Sequence, residues 1–264
     1  MEQKMKMRVA KFIADSGMAS KRMAERLIAS GAIAVNGEKI YTPVCFVDEK
    51  DVITVDGKKI ERQDKTRVFA FYKPVNTITS ASDPSGRKTI YEVLPPPLRN
   101  LKYVGRLDFK TTGLLLLTND GELARNLTLP SSGIMRTYTA KLHPMNMAEI
   151  KDIKSARNLR KFLSPMSADD SIFDSARRGI SIDGIKYAPM DIEVLSRYPL
   201  TIKIALREGK KNEIRIVMQH LGFMTQKLHR VSFGGIQLDD MRPGEVREIT
   251  GRQVEQIGSL ADKL

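Results

Sequence analysis

One stretch of the chain decides the fold, and its sequence is Gly105-Arg106-Leu107-Asp108-Phe109-Lys110-Thr111-Thr112-Gly113-Leu114-Leu115-Leu116-Leu117-Thr118-Asn119-Asp120-Gly121. Four consecutive leucines lie between two polar turns, and a short apolar run with turn residues at both ends is typical of a strand buried on both faces. Asp120 follows this strand and is a suitable N-cap for a helix through Leu127. Asp108 lies in the first polar turn. The pattern therefore predicts a buried strand with one carboxylate held at its start, where a rigid scaffold would present a reactive group.

Asp108 has two interpretations. An aspartate beside a strand is commonly a turn former, because its carboxylate accepts hydrogen bonds from nearby backbone N–H groups. The whole stretch, however, resembles the catalytic motif of the pseudouridine synthases that modify ribosomal RNA, in the RsuA/RluB group. That motif consists of Gly-Arg-Leu-Asp, two variable residues, Thr, one further residue, Gly-Leu-Leu-Leu-Leu-Thr and Asn-Asp-Gly, and every defining position is present between Gly105 and Gly121. The resemblance implies that Asp108 is the catalytic carboxylate.

The composition limits the class of protein. The chain has 264 residues, enough for one large domain or for a large and a small one. Its 44 Lys and Arg residues exceed its 31 Asp and Glu residues and give a formal net charge of +13. Such an excess favours a polyanionic partner, with nucleic acid preferred over a membrane surface. The sequence has no apolar run of the ~18 residues that a membrane span requires.

The residues that could hold a metal are few. Cys45 is the single cysteine, so an internal disulfide and a cysteine-cluster metal site are excluded. The three histidines are scattered through the chain and do not form a ligand motif. The basic, polar segment Met1–Arg8 has no apolar region of the kind found in secretory signals. We therefore expect a cytoplasmic protein that uses no metal and no other cofactor.

The start of the chain has the pattern of a separate small module. The spacing of Val9, Phe12 and Ile13 predicts one helix face, and Ser20 is a suitable cap for a second helix. Asn36-Gly37 suits a tight type I′ turn and predicts a hairpin after the two helices. These features predict two short helices packed on a small sheet.

This order of a helix, an Ala-Ser-Lys-Arg turn, a second helix and Val-Asn-Gly resembles the S4 RNA-binding domain over about residues 7–55. Basic residues on short helices more commonly form a solvated face, but in this family the positive face contacts RNA phosphates. The resemblance assigns that role to Lys11, Lys21, Arg22 and Arg26. The first 62 residues hold 12 basic and 9 acidic residues, a net charge of +3, so the remaining +10 lies in the larger part. We therefore expect the larger part to contact RNA as well.

The domain boundaries follow from composition and from the two resemblances. The charged segment 61–66 lacks apolar residues, which suits a linker. Further on, the apolar alternation along 200–206 indicates a sheet with one buried face, as antiparallel sheets have. We predict an α+β protein with an S4 domain over residues 1–62, a linker over 63–67 and a catalytic domain over 68–264. The catalytic domain is expected to have the pseudouridine synthase fold, a mixed and mainly antiparallel sheet with flanking helices.

Tyr138, Ile214 and Arg215 each have an ordinary structural interpretation. Tyr138 fits a core aromatic in a half-buried strand, and Ile214 fits the apolar face of a helix with Arg215 on its surface. The resemblance implies other roles, because the second motif of the family contains a tyrosine that stacks on the target base. Its third motif ends in an aliphatic residue that packs against uracil and a cation that pairs with the catalytic aspartate. Tyr138, Ile214 and Arg215 match these three positions.

Two further residues are assigned to substrate binding. Lys73 stands before Pro74 and matches a Lys-Pro pair that follows the first strand of the family's catalytic domain. Arg106 is expected to hold the backbone of a flipped nucleotide.

Three functions compete at this point. The favoured one is the isomerisation of uridine to pseudouridine in ribosomal RNA, with Asp108 acting as the nucleophile at C1′ or as the base for glycal formation. Large-subunit RNA is preferred because the sequence of segment Glu208–Arg215 resembles the RluB branch of the family more closely. An S4-type RNA-binding protein without catalytic activity is the second candidate, and the presence of the motif residues argues against it. A glycosidase needs paired carboxylates, which Asp108 lacks in its motif. The favoured function implies no membrane and no protein partner, and we expect a monomer.

Overall fold

The computed structural model describes residues 6–48, 50–61, 65–146, 153–164 and 170–261, without the side chains of residues 153, 154, 260 and 261. The strands are β1 Met7–Arg8, β2 Ile33–Val35, β3 Glu38–Lys39, β4 Phe46–Val47, β5 Ile53–Val55, β6 Lys58–Ile60, β7 Val68–Lys73, β8 Lys102–Val104, β9 Thr111–Thr118, β10 Arg136–Pro144, β11 Ile180–Ile182, β12 Ile185–Tyr187, β13 Asp191–Arg197, β14 Leu200–Leu206, β15 Phe223–Phe233, β16 Ile236–Gln237 and β17 Val246–Ile249. The α-helices are α1 Val9–Asp15, α2 Lys21–Ala29, α3 Ile90–Val93, α4 Gly121–Asn126, α5 Ile153–Phe162, α6 Asp174–Arg178, α7 Glu213–His220 and α8 Arg252–Ala261.

The small N-terminal module has an apolar core of its own. Its helices α1 and α2 pack with the sheet β3-β2-β5-β6 around a cluster of buried side chains that is separate from the rest of the protein. The Ser20 hydroxyl accepts a hydrogen bond from the Met23 N–H at 3.2 Å and caps α2 as predicted. Asn36 and Gly37 have φ values of 52° and 89°, as a type I′ turn requires. The strand β6 is an element that the sequence patterns did not predict.

The large sheet has the strand order β13-β14-β10-β15-β9-β7-β17, with β8 paired to β9 and β16 paired to β15. Among the described strands of this sheet, β15 and β9 run parallel and the other pairs are antiparallel. The predicted α+β class with a mixed, mainly antiparallel catalytic sheet is therefore confirmed.

The strand β9 separates two apolar layers. Leu115 and Leu117 belong to the cluster on one face of the sheet, whereas Leu114 and Leu116 belong to the cluster on the other. All four are fully buried. The Asp120 carboxylate caps α4 by accepting hydrogen bonds from the N–H groups of the second and third residues after it, at 2.9 and 3.1 Å. The strand and the cap predicted from the leucine run are both confirmed.

The N-terminal module contacts the catalytic domain through ion pairs. The Lys11 ammonium lies 3.3 Å from the Glu122 carboxylate, and the Asp15 carboxylate lies 3.2 Å from the Lys102 ammonium. Both catalytic-domain partners lie near the carboxyl end of β9, at or beside α4. Residues 62–64, which include part of the predicted linker, and residues 262–264, at the end of the predicted catalytic domain, lie outside the described residues. No helix in the described ranges is long and apolar enough to cross a membrane.

Candidate active site

A cleft of about 520 Å³ lies where the turn before β9 faces the loop from β14 to α7. The central strands β10 and β15 supply its floor. Its lining residues include Arg106, Leu107, Asp108, Thr111, Arg136, Tyr138, Leu206, Glu208, Glu213, Ile214, Arg215, Leu228 and Arg230. Five of the six residues that the sequence assigned to catalysis or substrate binding therefore share one cleft, and Lys73 is the exception.

The backbone of the turn that contains Asp108 is fixed from several directions. The buried Thr79 hydroxyl donates to the Leu107 carbonyl at 2.9 Å and accepts from the Leu107 N–H at 3.2 Å. The Asp108 carbonyl accepts from the Thr111 N–H at 3.0 Å. The Phe109 carbonyl accepts from a backbone N–H just after β7. This network holds the turn in one conformation, which a reactive group needs if it is to meet its substrate in a defined geometry.

The Asp108 carboxylate is exposed to the cleft and free to meet a ligand. Within the described ranges it forms no side-chain hydrogen bond and no ion pair within 4.0 Å. Its negative charge nevertheless acts on Arg215. Burial lowers the pKa of Arg215, and the charge of Asp108 opposes that change. The direct Asp108–Arg215 pair that the resemblance implies remains a prediction.

Arg215 is half-buried in the first turn of α7 and is fixed by β15. Its Nη1 donates to the Thr225 carbonyl at 2.9 Å, while its buried Nη2 has no hydrogen-bond partner. The preceding residue, Ile214, is 4% exposed and belongs to the main apolar cluster as well as to the cleft lining. The core interpretation and the substrate interpretation of Ile214 are therefore compatible.

Tyr138 combines the same two environments. It is 9% exposed and packs in the main apolar cluster, yet its side chain lines the cleft. It lies on β10 beside Arg230 of β15, because the two residues are partners in the antiparallel register. A ring so placed is held by the core on one side and is available to a planar ligand on the other.

Lys73 differs from the expectation that it would contact substrate. Its side chain is fully buried and does not line the cleft. Its ammonium donates to the Thr111 carbonyl at 2.8 Å and to the Pro74 carbonyl at 3.1 Å, so it ties the end of β7 to the start of β9. Burial lowers the pKa of Lys73 to about 8, and the charge of Asp108 opposes this change. Lys73 is therefore a positioning residue under the Asp108 turn.

The loop before α7 contains an acidic pair on the cleft wall. Burial, and then the neighbouring Glu208 carboxylate, raise the pKa of Glu213. The Lys210 N–H donates to Glu213 Oε2 at 2.9 Å, and the Lys210 ammonium pairs with the Glu208 carboxylate. Asn212 directly precedes α7, but it has a φ of 56° and makes no side-chain cap. The positive φ and the acidic pair, rather than an Asn cap, shape the start of α7.

Several residues of the site have no signal in the sequence motifs. The sequence patterns assigned no role to Thr79, Arg136 or Arg230. Arg136 donates from Nη1 to the carbonyls of residues 134, 207 and 208, at 3.0, 2.9 and 3.4 Å. Arg230 is 2% exposed.

The cations assigned to RNA binding in the N-terminal module lie apart from the cleft lining. Lys21, Arg22 and Arg26 are exposed along α2, and none of them forms an ion pair with a described residue. Lys11 is also exposed but is paired with the catalytic domain. In the part of the chain that the structure describes, no three His, Cys, Asp or Glu side chains converge in a way that could hold a metal ion.

Comparison with known families follows the division seen in the structure. A sequence model of the family described as RNA pseudouridylate synthase matches residues 67–220. A model of the S4 domain matches residues 7–53. The first match covers the large sheet from β7 to β14 and helix α7, and the second covers the small N-terminal module.

Individual relatives match along almost the whole chain. An uncharacterized RNA pseudouridine synthase of Rickettsia conorii is 35% identical over 250 residues, which cover 94% of this chain and 98% of the relative. The ribosomal large subunit pseudouridine synthase B of Bacillus subtilis is 34% identical over 259 residues, 97% of this chain and 96% of the relative. A crystal structure of a pseudouridylate synthase superposes with a TM-score of 0.62 at 25% identity and covers 95% of this chain and 99% of the other.

Proposed function

The chain belongs to the RNA pseudouridylate synthase family and is an isomerase with an N-terminal S4 domain, and from this premise we propose that it converts uridine in large-subunit ribosomal RNA to pseudouridine with Asp108 as its reactive carboxylate. The observation on which this proposal rests is the cleft itself. One exposed carboxylate stands at a rigid turn, with an aromatic ring, an aliphatic side chain and an arginine around it. The S4 domain and the similarity to the ribosomal large subunit pseudouridine synthase B of Bacillus subtilis support ribosomal RNA as the substrate, and that similarity also supports the large subunit.

The reaction exchanges one bond to the ribose for another. The N1–C1′ bond of uridine breaks and its electron pair passes to the base. Asp108 either bonds to C1′ through a carboxylate oxygen or removes the proton from C2′, which gives a glycal. The base then rotates and C5 bonds to C1′, which breaks the Asp108–C1′ bond in the first route, whereas in the second route Asp108 returns the proton to C2′. The proton lost from C5 is balanced by the proton gained at N1, so the product is an isomer of the substrate and Asp108 returns to its carboxylate form.

Access to C1′ requires that the nucleotide leave its stack. Flipping costs on the order of a few kcal/mol. Stacking of the base on Tyr138 offsets part of this cost, since base–aromatic stacking contributes ~1–3 kcal/mol in single-stranded complexes. Ile214 supplies an apolar surface to the base from the other wall of the cleft. Arg106 is exposed at the mouth, where it can bind the phosphate of the flipped nucleotide.

Positive charge in and beneath the cleft complements the Asp108 carboxylate. Arg215 and Lys73 both interact favourably with the charge of Asp108. In the substrate complex, we expect Arg215 to donate a hydrogen bond to Asp108, because the planar guanidinium fork suits a carboxylate. The exposed cations of the S4 domain bind RNA outside the cleft through phosphates and shape.

The test is incubation of the purified protein with unmodified large-subunit and small-subunit ribosomal RNA, followed by mapping of pseudouridine at single-nucleotide resolution. We expect modification at one or a few uridines of large-subunit RNA. Modification confined to small-subunit RNA would contradict the proposed substrate. Absence of pseudouridine from both RNAs, with the protein folded and bound to them, would contradict the proposed ribosomal substrate as a whole.

A further inference from the structure

The floor of the cleft contains buried donors that the protein itself leaves without acceptors. Arg230 Nη2 and the Thr111 hydroxyl have no hydrogen-bond partner, although both residues are only 2% exposed. A buried donor without an acceptor costs about 1–3 kcal/mol, and more when the donor is charged. Such atoms in a cleft indicate a ligand that completes their hydrogen bonds.

Of these two donors, Arg230 has the larger free-energy cost of remaining without an acceptor, because its guanidinium is charged. Its Nε donates to the Leu114 carbonyl at 2.7 Å, and its guanidinium lies 5.1 Å from the centre of the Phe233 ring. Among the described residues no carboxylate lies within 4.0 Å of it. Its positive charge instead helps to lower the pKa values of two neighbouring cations, Lys73 and Arg136. An arginine in such surroundings is expected where negative charge arises during a reaction.

The sheet places Arg230 between the two parts of the proposed chemistry. On one side it is the register partner of Tyr138, and on the other side it is the partner of Gly113 in the parallel pair of β15 and β9. Gly113 has a φ of +106°, and a Cβ there would lie 2.2 Å from the Arg230 carbonyl oxygen, so this approach requires glycine. Arg230 thus lies beside the ring proposed to stack on the base and beside the strand that begins after Asp108.

We propose that Arg230 contacts the target base, with Nη2 donating a hydrogen bond to a carbonyl oxygen of uracil. This inference rests on the proposed function. When the N1–C1′ bond breaks, its electron pair gives a uracil anion whose charge is shared by N1 and the carbonyl oxygens. The hydrogen bond from Arg230 strengthens as that charge develops and relaxes when C5 bonds to C1′ and a proton returns to N1. A phosphate is a poorer occupant, because Arg230 is only 2% exposed whereas Arg106, which lines the same cleft, is exposed and more accessible to the RNA backbone.

Arg136 offers a matched control. Its guanidinium also lies over Phe233, at 5.3 Å, and its side chain also lines the cleft. Its Nη1 donor, however, already has backbone carbonyls as acceptors. Substitution of Arg136 removes a cation from the same ring without removing the unpartnered Nη2 that the inference requires.

The experiment measures single-turnover rates at saturating RNA for the wild type, Arg230→Met, Arg230→Lys and Arg136→Met. The RNA has uridine, 2-thiouridine or 4-thiouridine at the target position, since sulfur is a weak hydrogen-bond acceptor. We expect the wild type to convert one thio substrate more slowly than uridine by about tenfold or more. Arg230→Met should lose roughly 10²–10³-fold on uridine and should no longer distinguish that thio substrate from uridine. Arg136→Met should keep the distinction.

Folding is controlled by thermal melting and by RNA affinity, which should stay close to wild type. Arg230→Lys keeps the charge and most of the volume, so it tests the inference even if the methionine variant is unfolded, and it should also lose the thio discrimination. Discrimination that survives in the Arg230 variants, whatever their absolute rates, would overturn the inference and make Arg230 a purely structural residue. A wild-type protein that forms no pseudouridine would overturn the proposed function together with this inference, whereas an active wild type with unchanged discrimination in the variants overturns this inference alone.

Discussion

The protein presents positive charge in two contrasting ways. On α2 of the S4 domain, Lys21, Arg22 and Arg26 are exposed side chains on a solvated helix face. In and beneath the cleft, Arg215 and Arg230 have buried guanidinium atoms without acceptors, and Lys73 is buried with two backbone carbonyls. The first group keeps its hydration until RNA arrives, whereas the second has already lost it.

This difference predicts two kinds of mutational effect. An exposed cation binds a phosphate by displacing counterions, so it contributes to affinity in proportion to the number of contacts and depends on salt. A buried cation acts over a short range in a medium of low polarity, where its interaction with a developing charge is stronger and little screened. Substitutions on α2 should therefore change affinity, and substitutions in the cleft should change turnover.

Arg215→Ala should have one of the largest effects, because it removes the cation proposed to face Asp108. We expect turnover at saturating RNA to fall by roughly 10²-fold or more, the scale for loss of one charged group in a preorganised site. The slope of log K against log[salt] should remain that of the wild type. Arg215→Lys keeps a charge and should retain part of the turnover. An intact turnover with a flatter salt slope would show that Arg215 is an ordinary RNA-contacting residue.

Removal of residues 1–62 should have the next largest effect, and on binding rather than chemistry. The S4 domain has its own core and contacts the catalytic domain through ion pairs in which Lys11, Glu122 and Lys102 are partly or fully exposed. Each such pair contributes only about 0–1 kcal/mol, so the catalytic domain should remain folded in circular dichroism and thermal melting. RNA affinity should fall by on the order of tenfold, since several phosphate contacts are lost. Unchanged affinity and selectivity would contradict the assignment of RNA contacts to these residues.

The sequence was most informative where the structure depends on neighbouring residues. The leucine run, the Asp120 cap and the Asn36-Gly37 turn are local patterns, and each forms the predicted element. Contacts between distant segments were not predictable in the same way. Thr79 fixes Leu107 across a loop, and nothing in either local sequence indicates that hydrogen bond.

The pairing of Arg230 with Gly113 is another contact between distant segments. It depends on the parallel approach of two strands, which no local sequence pattern indicates. Lys73 shows the limit of a motif match, because the Lys-Pro pair is present but its ammonium is directed into the backbone below the cleft. The motif matches identified five residues that line the cleft, and packing decided that Lys73 does not line it.

The lowered pKa of Lys73 provides a further test of the contrast between buried and exposed cations. Its pKa of about 8 in the folded protein is below its ordinary value of 10.5. Between these values the unfolded chain holds a proton that the folded protein has released, so the free energy of unfolding rises with pH. Between these two pH values, the free energy of unfolding of the wild type should rise relative to that of Lys73→Met by up to about 1.4 kcal/mol per pH unit.

Denaturant unfolding of both proteins between pH 7 and pH 10.5 tests this expectation. Thr79→Val is the control, because it loosens the same turn without removing a titratable group. A plot of its free energy of unfolding against pH should run parallel to the plot for the wild type. Parallel curves for the wild type and Lys73→Met would contradict the account of Lys73 as a buried cation.

Single substitutions on α2 should have the smallest effects. Lys21→Ala and Arg22→Ala should each reduce the magnitude of the log K versus log[salt] slope by roughly 0.7–0.9, because one fewer counterion is released. Turnover at saturating RNA should be little altered. Filter binding or fluorescence anisotropy over a series of salt concentrations measures this slope. A slope equal to that of the wild type in both variants would remove α2 from the RNA interface.

Asp108→Asn tests the central claim most directly. The substitution keeps the shape of the side chain and removes its charge, and the Asp108 carboxylate makes no side-chain hydrogen bond to a described residue, so fold and RNA affinity should be preserved. We predict that pseudouridine formation falls by on the order of 10³-fold or more, as occurs when an enzyme loses its reactive side chain. A folded Asp108→Asn protein that retains more than a few per cent of wild-type turnover would contradict the account.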